Sequence, residues 1–284
     1  ASKSLSVMID AHQHFWNYNE ERDTWITPEM SVLRADFYPN YSEPLFRDQG
    51  FTGSVAVQAD SSEEETLFLL ALAEQNEFIQ GVVGWVDLQS PNIEDRLAYF
   101  SQFESIKGFR HIVQGEKDPN FLASSAFIRG VKTLASFDLS YDLLIYPHQI
   151  KSAITFCETC DEQKIVIDHL AKAPLKSGNI QEWKQEIQAF SNLSHVSAKI
   201  SGIVTEAADQ SWTQDQVNEI VEVALDVFGP QRLLIGSDYP VVLVNSTLER
   251  WVASFQESLI GLNASEKELI YHQNAIEFYQ LETL

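Results

Sequence analysis

Met8-Ile9-Asp10-Ala11-His12-Gln13-His14 is an apolar opening that ends in two histidines. Successive side chains of an extended strand point to opposite faces, so His12 and His14 share a face and enter one pocket. Two imidazoles at that spacing can ligate one divalent ion, or without a metal can hold and polarise a carbonyl and a water. By itself a His-x-His carries little. Its meaning depends on what the rest of the chain builds around it.

Working outward, further apolar, strand-like runs occupy 53–59, 81–88, 106–114, 139–146, 164–170, 196–203 and 233–239, which with 7–14 makes eight. They are continuous in hydrophobic character, as strands covered on both faces are. Amphipathic patterns over 62–77, 93–103, 123–136, 149–162, 180–191, 214–228 and 247–260 alternate with them. That alternation implies parallel pairing and a (β/α)8 TIM barrel, an α/β fold forming one domain over 1–284. Ser61 with Glu64, Thr213 with Gln216, and Ser265 with Glu268 have capping-box spacing, and Gly229-Pro230 closes a helix before the last strand. The stretch 266–281 reads as an extra C-terminal helix on the barrel exterior. The stretch 15–41, with Trp16, Trp25, Pro28 and Pro39, shows little periodicity and reads as a long loop after the first strand, either a lid or wall over the catalytic face or an aromatic-anchored surface loop.

The final strand-like run, Leu233-Leu234-Ile235-Gly236-Ser237-Asp238-Tyr239-Pro240, ends in a carboxylate. First and last strands of a closed barrel are neighbours, which brings Asp238 beside His12 and His14 as a metal ligand or as a base for water. The plainer reading is a loop cap. Near the end of the sixth run, period two sends one of Asp168 and His169 to the barrel axis and the other outward; His169 is the inward choice, a ligand or proton carrier. Lys172 lies just beyond and offers a cation to a substrate oxygen, or is simply solvated. A buried-strand arginine needs a partner, so Arg110 either grips a substrate carboxylate or hydroxyl or pairs with Asp238 or Glu116. His111 alternates with it. Tyr146 places a phenol at the rim, and Trp85 offers a flat face for stacking or a place in the core.

These segments together resemble the amidohydrolase superfamily (amidohydrolase 2 type), in the branch of L-fuconolactonase-like sugar lactone hydrolases. The resemblance runs through 9–16, 108–116, 141–147, 166–172 and 236–240, most of the chain's strand ends. It implies lactone ring opening by a water that Asp238 activates, with His12, His14 and His169 as the histidine cluster. Arg110 and Tyr146 would orient substrate. From the residues themselves, His111, Lys172 and Trp85 are further candidate substrate contacts. Members of the superfamily that hold two metals use a carboxylated lysine on the fourth strand; here Lys107 lies near that strand's start and Tyr146 ends the fifth. The resemblance therefore implies one divalent ion, zinc first, on His12, His14 and Asp238, or none. A strained cyclic ester asks less of the protein than an amide does. Alternatives are a metal-dependent decarboxylase of an aromatic acid on the same barrel, another cyclic ester or amide hydrolase, and a sugar-acid binding module without catalysis.

Composition bounds these readings. With 19 basic and 41 acidic side chains the formal charge is −22, which repels nucleic acid and anionic membranes. Any acidic substrate or product therefore needs local cations, and a small-molecule lactone is the expected partner; a homo-oligomer is left open. The polar start Ala1-Ser2-Lys3-Ser4-Leu5-Ser6 does not read as a signal peptide, and no run reaches the roughly 20 apolar residues of a membrane span. Cys157 and Cys160 form a lone C-x-x-C with no second pair, so neither a zinc ribbon nor a disulfide framework is expected, and a reducing, cytoplasmic setting fits. No P-loop, G-x-G-x-x-G, G-x-S-x-G or H-E-x-x-H occurs. His195 and His272 read as structural.

Overall fold

The computed structural model describes residues 7–282; the start read above as lacking a signal peptide, 1–6, lies outside them. Eight parallel strands run in sequence order around one sheet: β1 (Met8–Gln13), β2 (Phe51–Val57), β3 (Ile79–Gly84), β4 (Ile106–Ile112), β5 (Ser140–Leu144), β6 (Ile165–Ile167), β7 (Val196–Ile200) and β8 (Leu233–Ile235). The seam between β8 and β1 is closed just beyond the strand ends, where the His14 amide donates to Tyr239 O (2.8 Å) and the Asp238 amide to His12 O (2.8 Å). The barrel expected from the alternation is the barrel observed.

The connecting helices are α1 (Pro39–Asp48), α2 (Glu63–Gln75), α3 (Ile93–Phe100), α4 (Ser125–Ala135), α5 (Ile150–Thr159), α6 (Gln181–Ile187), α7 (Gln214–Phe228) and α8 (Leu248–Ser258), followed by α9 (Ala264–Glu268) and α10 (Asn274–Tyr279). Thr213 and Gln216 form the reciprocal cap expected at α7. The other two boxes sit elsewhere: Ser62, one residue later, caps α2 through the Glu65 amide, and Asn263 with Glu266 caps α9. Sequence spacing alone cannot say which of two adjacent serines takes extended backbone. Helix α1 escapes detection because Pro44 interrupts its pattern and no side chain caps its start.

Two apolar layers hold the barrel. One lies between strands and outer helices. The other fills the barrel interior, where Ile9, Ala11, Val55, Val57, Val83, Val166 and Leu234 meet Phe278, Tyr279 and Leu281. The C-terminal helix is thus not confined to the exterior. Lys107 and Lys164, at the starts of β4 and β6, donate to the Gln280 and Phe278 carbonyls, which seats α10 across the N-terminal mouth as a floor.

The strands stop one to four residues earlier than the apolar runs suggest, so the site grows from the segments at and just past their ends. In β1 the pairing register slips between Asp10 and Gln13. Ile9 and Ala11 face the interior layer, yet His12 and His14 also face inward, while Asp10 bonds Ser237 and Gln13 bonds Ser42 of α1. Such a slip re-aims a side chain. The shared face of His12 and His14 holds; strict alternation back to Met8 does not.

Candidate active site

At the C-terminal mouth a cavity of about 440 Å³ is lined by His14, His169, Asp238, Arg110, Lys172 and Tyr146, with Trp25 and Met30 on one side. The latter two come from the long stretch after β1, which is a packed wall. A bridge between Trp16 and Phe37 ties its ends, the Trp16 indole donates to the Leu33 and Ala35 carbonyls, and Ile26 and Leu33 are buried. Its last residues belong to α1, a correction to the loop expected over 15–41.

His12 is fully buried beneath the cavity floor. Its Nε2 lies 3.2 Å from His14 Nε2 and 3.7 Å from Asp238 Oδ1, and His14 Nε2 is 3.3 Å from the same oxygen. His169 Nε2 stands 3.8 Å from Asp238 Oδ1, and the His12 and His169 rings meet edge to face at 4.4 Å. A zinc ion with bonds of about 2.0–2.2 Å spaces tetrahedral ligand atoms roughly 3.3–3.6 Å apart. The separations within His12, His14 and Asp238, 3.2, 3.3 and 3.7 Å, come within about 0.1 Å of that spacing. Behind His14 the fit continues, because its Nδ1 donates to Val57 O at 2.8 Å, the usual outer support of a metal-ligating histidine. Behind His12 stands a cation instead, Lys199 Nζ at 2.9 Å from Nδ1.

Neither Asp168 nor His169 follows period two. The strand ends at Ile167, and His169 (φ 57°), Leu170 (50°), Ala171 (58°) and Lys172 (58°) form a left-handed turn. Each such non-glycine residue costs roughly 1–2 kcal/mol, and that strain brings Asp168, His169 and Lys172 together to the site. Gly202, itself at φ 61°, makes room, since a Cβ there would stand 2.5 Å from the His169 ring. The ring's Nδ1 bonds Ser201 Oγ at 2.7 Å.

Arg110 pairs with neither Asp238 nor Glu116. Its guanidinium bonds Asp168 Oδ2 (3.1 Å), the Gln58 carbonyl (2.6 Å) and Gln58 Oε1 (2.5 Å) while still lining the cavity. Lys172 pairs with Glu206 at 3.1 Å on the rim. Two residues expected as substrate contacts do not line this cavity. His111 faces outward from β4, bonded to Glu116 at 2.7 Å and stacked on Phe121. Trp85 is locked by two backbone bonds to Thr66 Oγ1 and does not line the cavity. His195 bonds Cys157 O, and both cysteines are buried free thiols.

Two charged residues that the sequence reading passed over, Lys199 and Asp142, underlie the site together with Asp168. Lys199, from β7, is fully buried and donates to Asp142 Oδ2 at 2.6 Å, with Asp168 Oδ1 at 3.2 Å completing an ion-pair triangle. Burial, and then the Asp168 charge, push the Asp142 carboxyl up. Burial would raise Asp168 as well, but Lys199 and Arg110 outweigh it and hold that carboxylate well below its usual range. Asp142 is therefore the member of the pair that takes up a proton more readily.

At the floor, burial first and Lys199 second press His12 far below its usual range. Burial likewise brings His169 down to about 3 against the pull of Asp238. For Asp238 burial works upward, but His169, His14 and Lys172 prevail and hold it down at about 2. At neutral pH the site therefore presents an ionised carboxylate among buried imidazoles, with a guanidinium and an ammonium on the walls. Such an array can take a proton from water and stabilise an oxyanion.

The model of the Amidohydrolase family matches residues 9–281. An L-fucono-1,5-lactonase of Burkholderia multivorans is 36% identical, with 97% of each chain covered. One from Burkholderia ambifaria is 28% identical over 98% of this chain and 97% of its own. Among solved structures, an amidohydrolase from Burkholderia multivorans with bound zinc superposes with a TM-score of 0.94 at 34% identity, covering 97% of this chain and all of that one.

Proposed function

The chain belongs to the amidohydrolase family, and from that premise we propose that it hydrolyses a sugar-derived lactone, of the L-fuconolactone kind, to its aldonic acid. The observation that carries this reading is the Asp238 carboxylate set against the Nε2 atoms of His12, His14 and His169 at the cavity floor. Asp238 accepts a proton from the attacking water as the oxygen adds to the lactone carbonyl. The imidazole cluster faces the oxyanion that forms. As the ring C–O bond breaks, Asp238 returns its proton to the departing alkoxide, so atoms and charge balance. Arg110 and Tyr146 orient ring hydroxyls, and Lys172 faces the carboxylate that emerges. A divalent ion, zinc first, would be held by His12, His14 and Asp238 and would supply Lewis-acid polarisation of the carbonyl. The Lys199 contact behind His12 favours the second reading, hydrolysis without metal.

A pH-indicator assay against a panel of aldonolactones and aromatic lactones tests the reaction, because each turnover releases a proton. Hydrolysis of a six-carbon deoxy-sugar lactone is the expected result. Carbon dioxide release from an aromatic acid, or silence across the panel, overturns it. Chelator treatment of the same sample decides the metal: retention of full activity removes the ion from the scheme. Both cysteines are unpaired thiols, which supports a reducing, cytoplasmic setting for this chemistry.

A further inference from the structure

The hydrogen bonds beneath the floor form one chain that leads from the C-terminal helix to the reacting face. Tyr279 Oη, on α10, donates to Asp142 Oδ1 at 2.7 Å. Asp142 Oδ2 accepts from Lys199 Nζ at 2.6 Å, and Lys199 lies over the Tyr279 ring, 5.4 Å from its centroid. Lys199 then meets His12 Nδ1 at 2.9 Å. An ammonium has three N–H donors and no lone pair, so at that contact Nδ1 can only accept. A neutral imidazole whose Nδ1 accepts carries its proton on Nε2.

The far end of the chain makes the same demand independently. Val57 O can only accept, so the 2.8 Å contact places a proton on His14 Nδ1, and a neutral His14 ring then has its lone pair on Nε2. The 3.2 Å approach of the two Nε2 atoms then needs a proton from His12. The rival acceptor for an Nδ1 proton, Asp168 Oδ1, is 3.7 Å from that nitrogen, outside hydrogen-bond range.

We infer that Lys199, braced by Asp142 and Tyr279, is a positioning residue that fixes His12 as an Nε2–H donor on the side of its ring that meets His14 and Asp238 at the cavity floor. Because the chain starts on α10, the last helix of the fold takes part in setting the polarity of the site. A histidine so fixed offers a proton to a developing oxyanion, whereas the other tautomer would face it with a lone pair. This consequence rests on the hydrolytic reading; the tautomer itself does not.

The test is long-range ¹H–¹⁵N NMR of the full chain labelled with [¹⁵N]histidine and freed of metal by chelator. The seven histidines are few enough to resolve, and loss of a signal in His12→Asn assigns that ring. We expect His12 protonated on Nε2 in the native chain and on Nδ1, or exchanging between the two, in Lys199→Met. Tyr279→Phe keeps the ring under Lys199 but removes the bond to Asp142, and should show partial exchange. In turnover, Lys199→Met should lower kcat by about tenfold or more with KM within about twofold, as expected when an interaction made only in the transition state is lost. A native His12 protonated on Nδ1 overturns the inference, with or without a foldable variant. So does a Lys199→Met chain whose His12 tautomer is unchanged. If no lactone is turned over, the NMR result still decides the tautomer while the hydrolytic reading fails separately.

Discussion

A base held down at about 2 stays ionised across the working range, so the profile of kcat/KM should show no acid limb belonging to Asp238 between neutrality and about pH 4. The sign follows from its role: a base works when ionised, so activity is lost only as pH falls through that low value. A limb near pH 6 would assign the proton transfer to another group. Asp238→Asn keeps the side-chain size but cannot take a proton, and should cut kcat by about a thousandfold or more with the fold retained by circular dichroism. Glu65 offers a stability counterpart. Burial pushes its carboxyl up to about 7 although the Ala59 and Asp60 amides donate to it. A carboxyl raised on folding favours the native state most at low pH, and that contribution fades as pH rises from about 4.5 to about 7. Glu65→Gln should therefore flatten the pH dependence of the unfolding free energy across this window, by at most about 3 kcal/mol. His12, His14, His169 and Asp238 were legible because each ends an apolar run. Lys199 and Asp142 were not, although a lone charge inside a buried strand needs a partner. The partner is 57 residues away in sequence, and local patterns do not reach that far.

Elements show the same limit. Strand number, order and helix alternation follow from periodicity, but the slip in β1 and the left-handed turn at 169–172 leave no local signature, because tertiary contacts hold both. Gly202→Ala tests the turn. It combines a penalty of roughly 1 kcal/mol for positive φ with a Cβ placed against the His169 ring. Chemical denaturation should report the lost stability, and kcat should fall as the ring is displaced. The wall formed after β1 was legible only as a stretch lacking period. Trp25, half exposed at the cavity edge, should contribute to binding more than to chemistry. Trp25→Ala is expected to raise KM about three- to tenfold with kcat nearly held, as loss of apolar contact to a small ring predicts.

At the scale of the molecule, α10 fills the barrel floor with Phe278 and Tyr279, so the barrel and its last helix should unfold together. We expect one coincident transition by fluorescence and circular dichroism, and removal of the chain from 274 onward should abolish it. That the last helix belongs to the interior could not be read from its amphipathic pattern, which suits any apolar surface. The plugged floor has a further consequence. The cavity is a blind well, so whatever enters through the rim must leave by it. An uncharged lactone crosses the field of a −22 protein without penalty. Its carboxylate product, once past Arg110 and Lys172, is pushed outward by that same field, so the net charge that says nothing about substrate identity favours traffic in one direction.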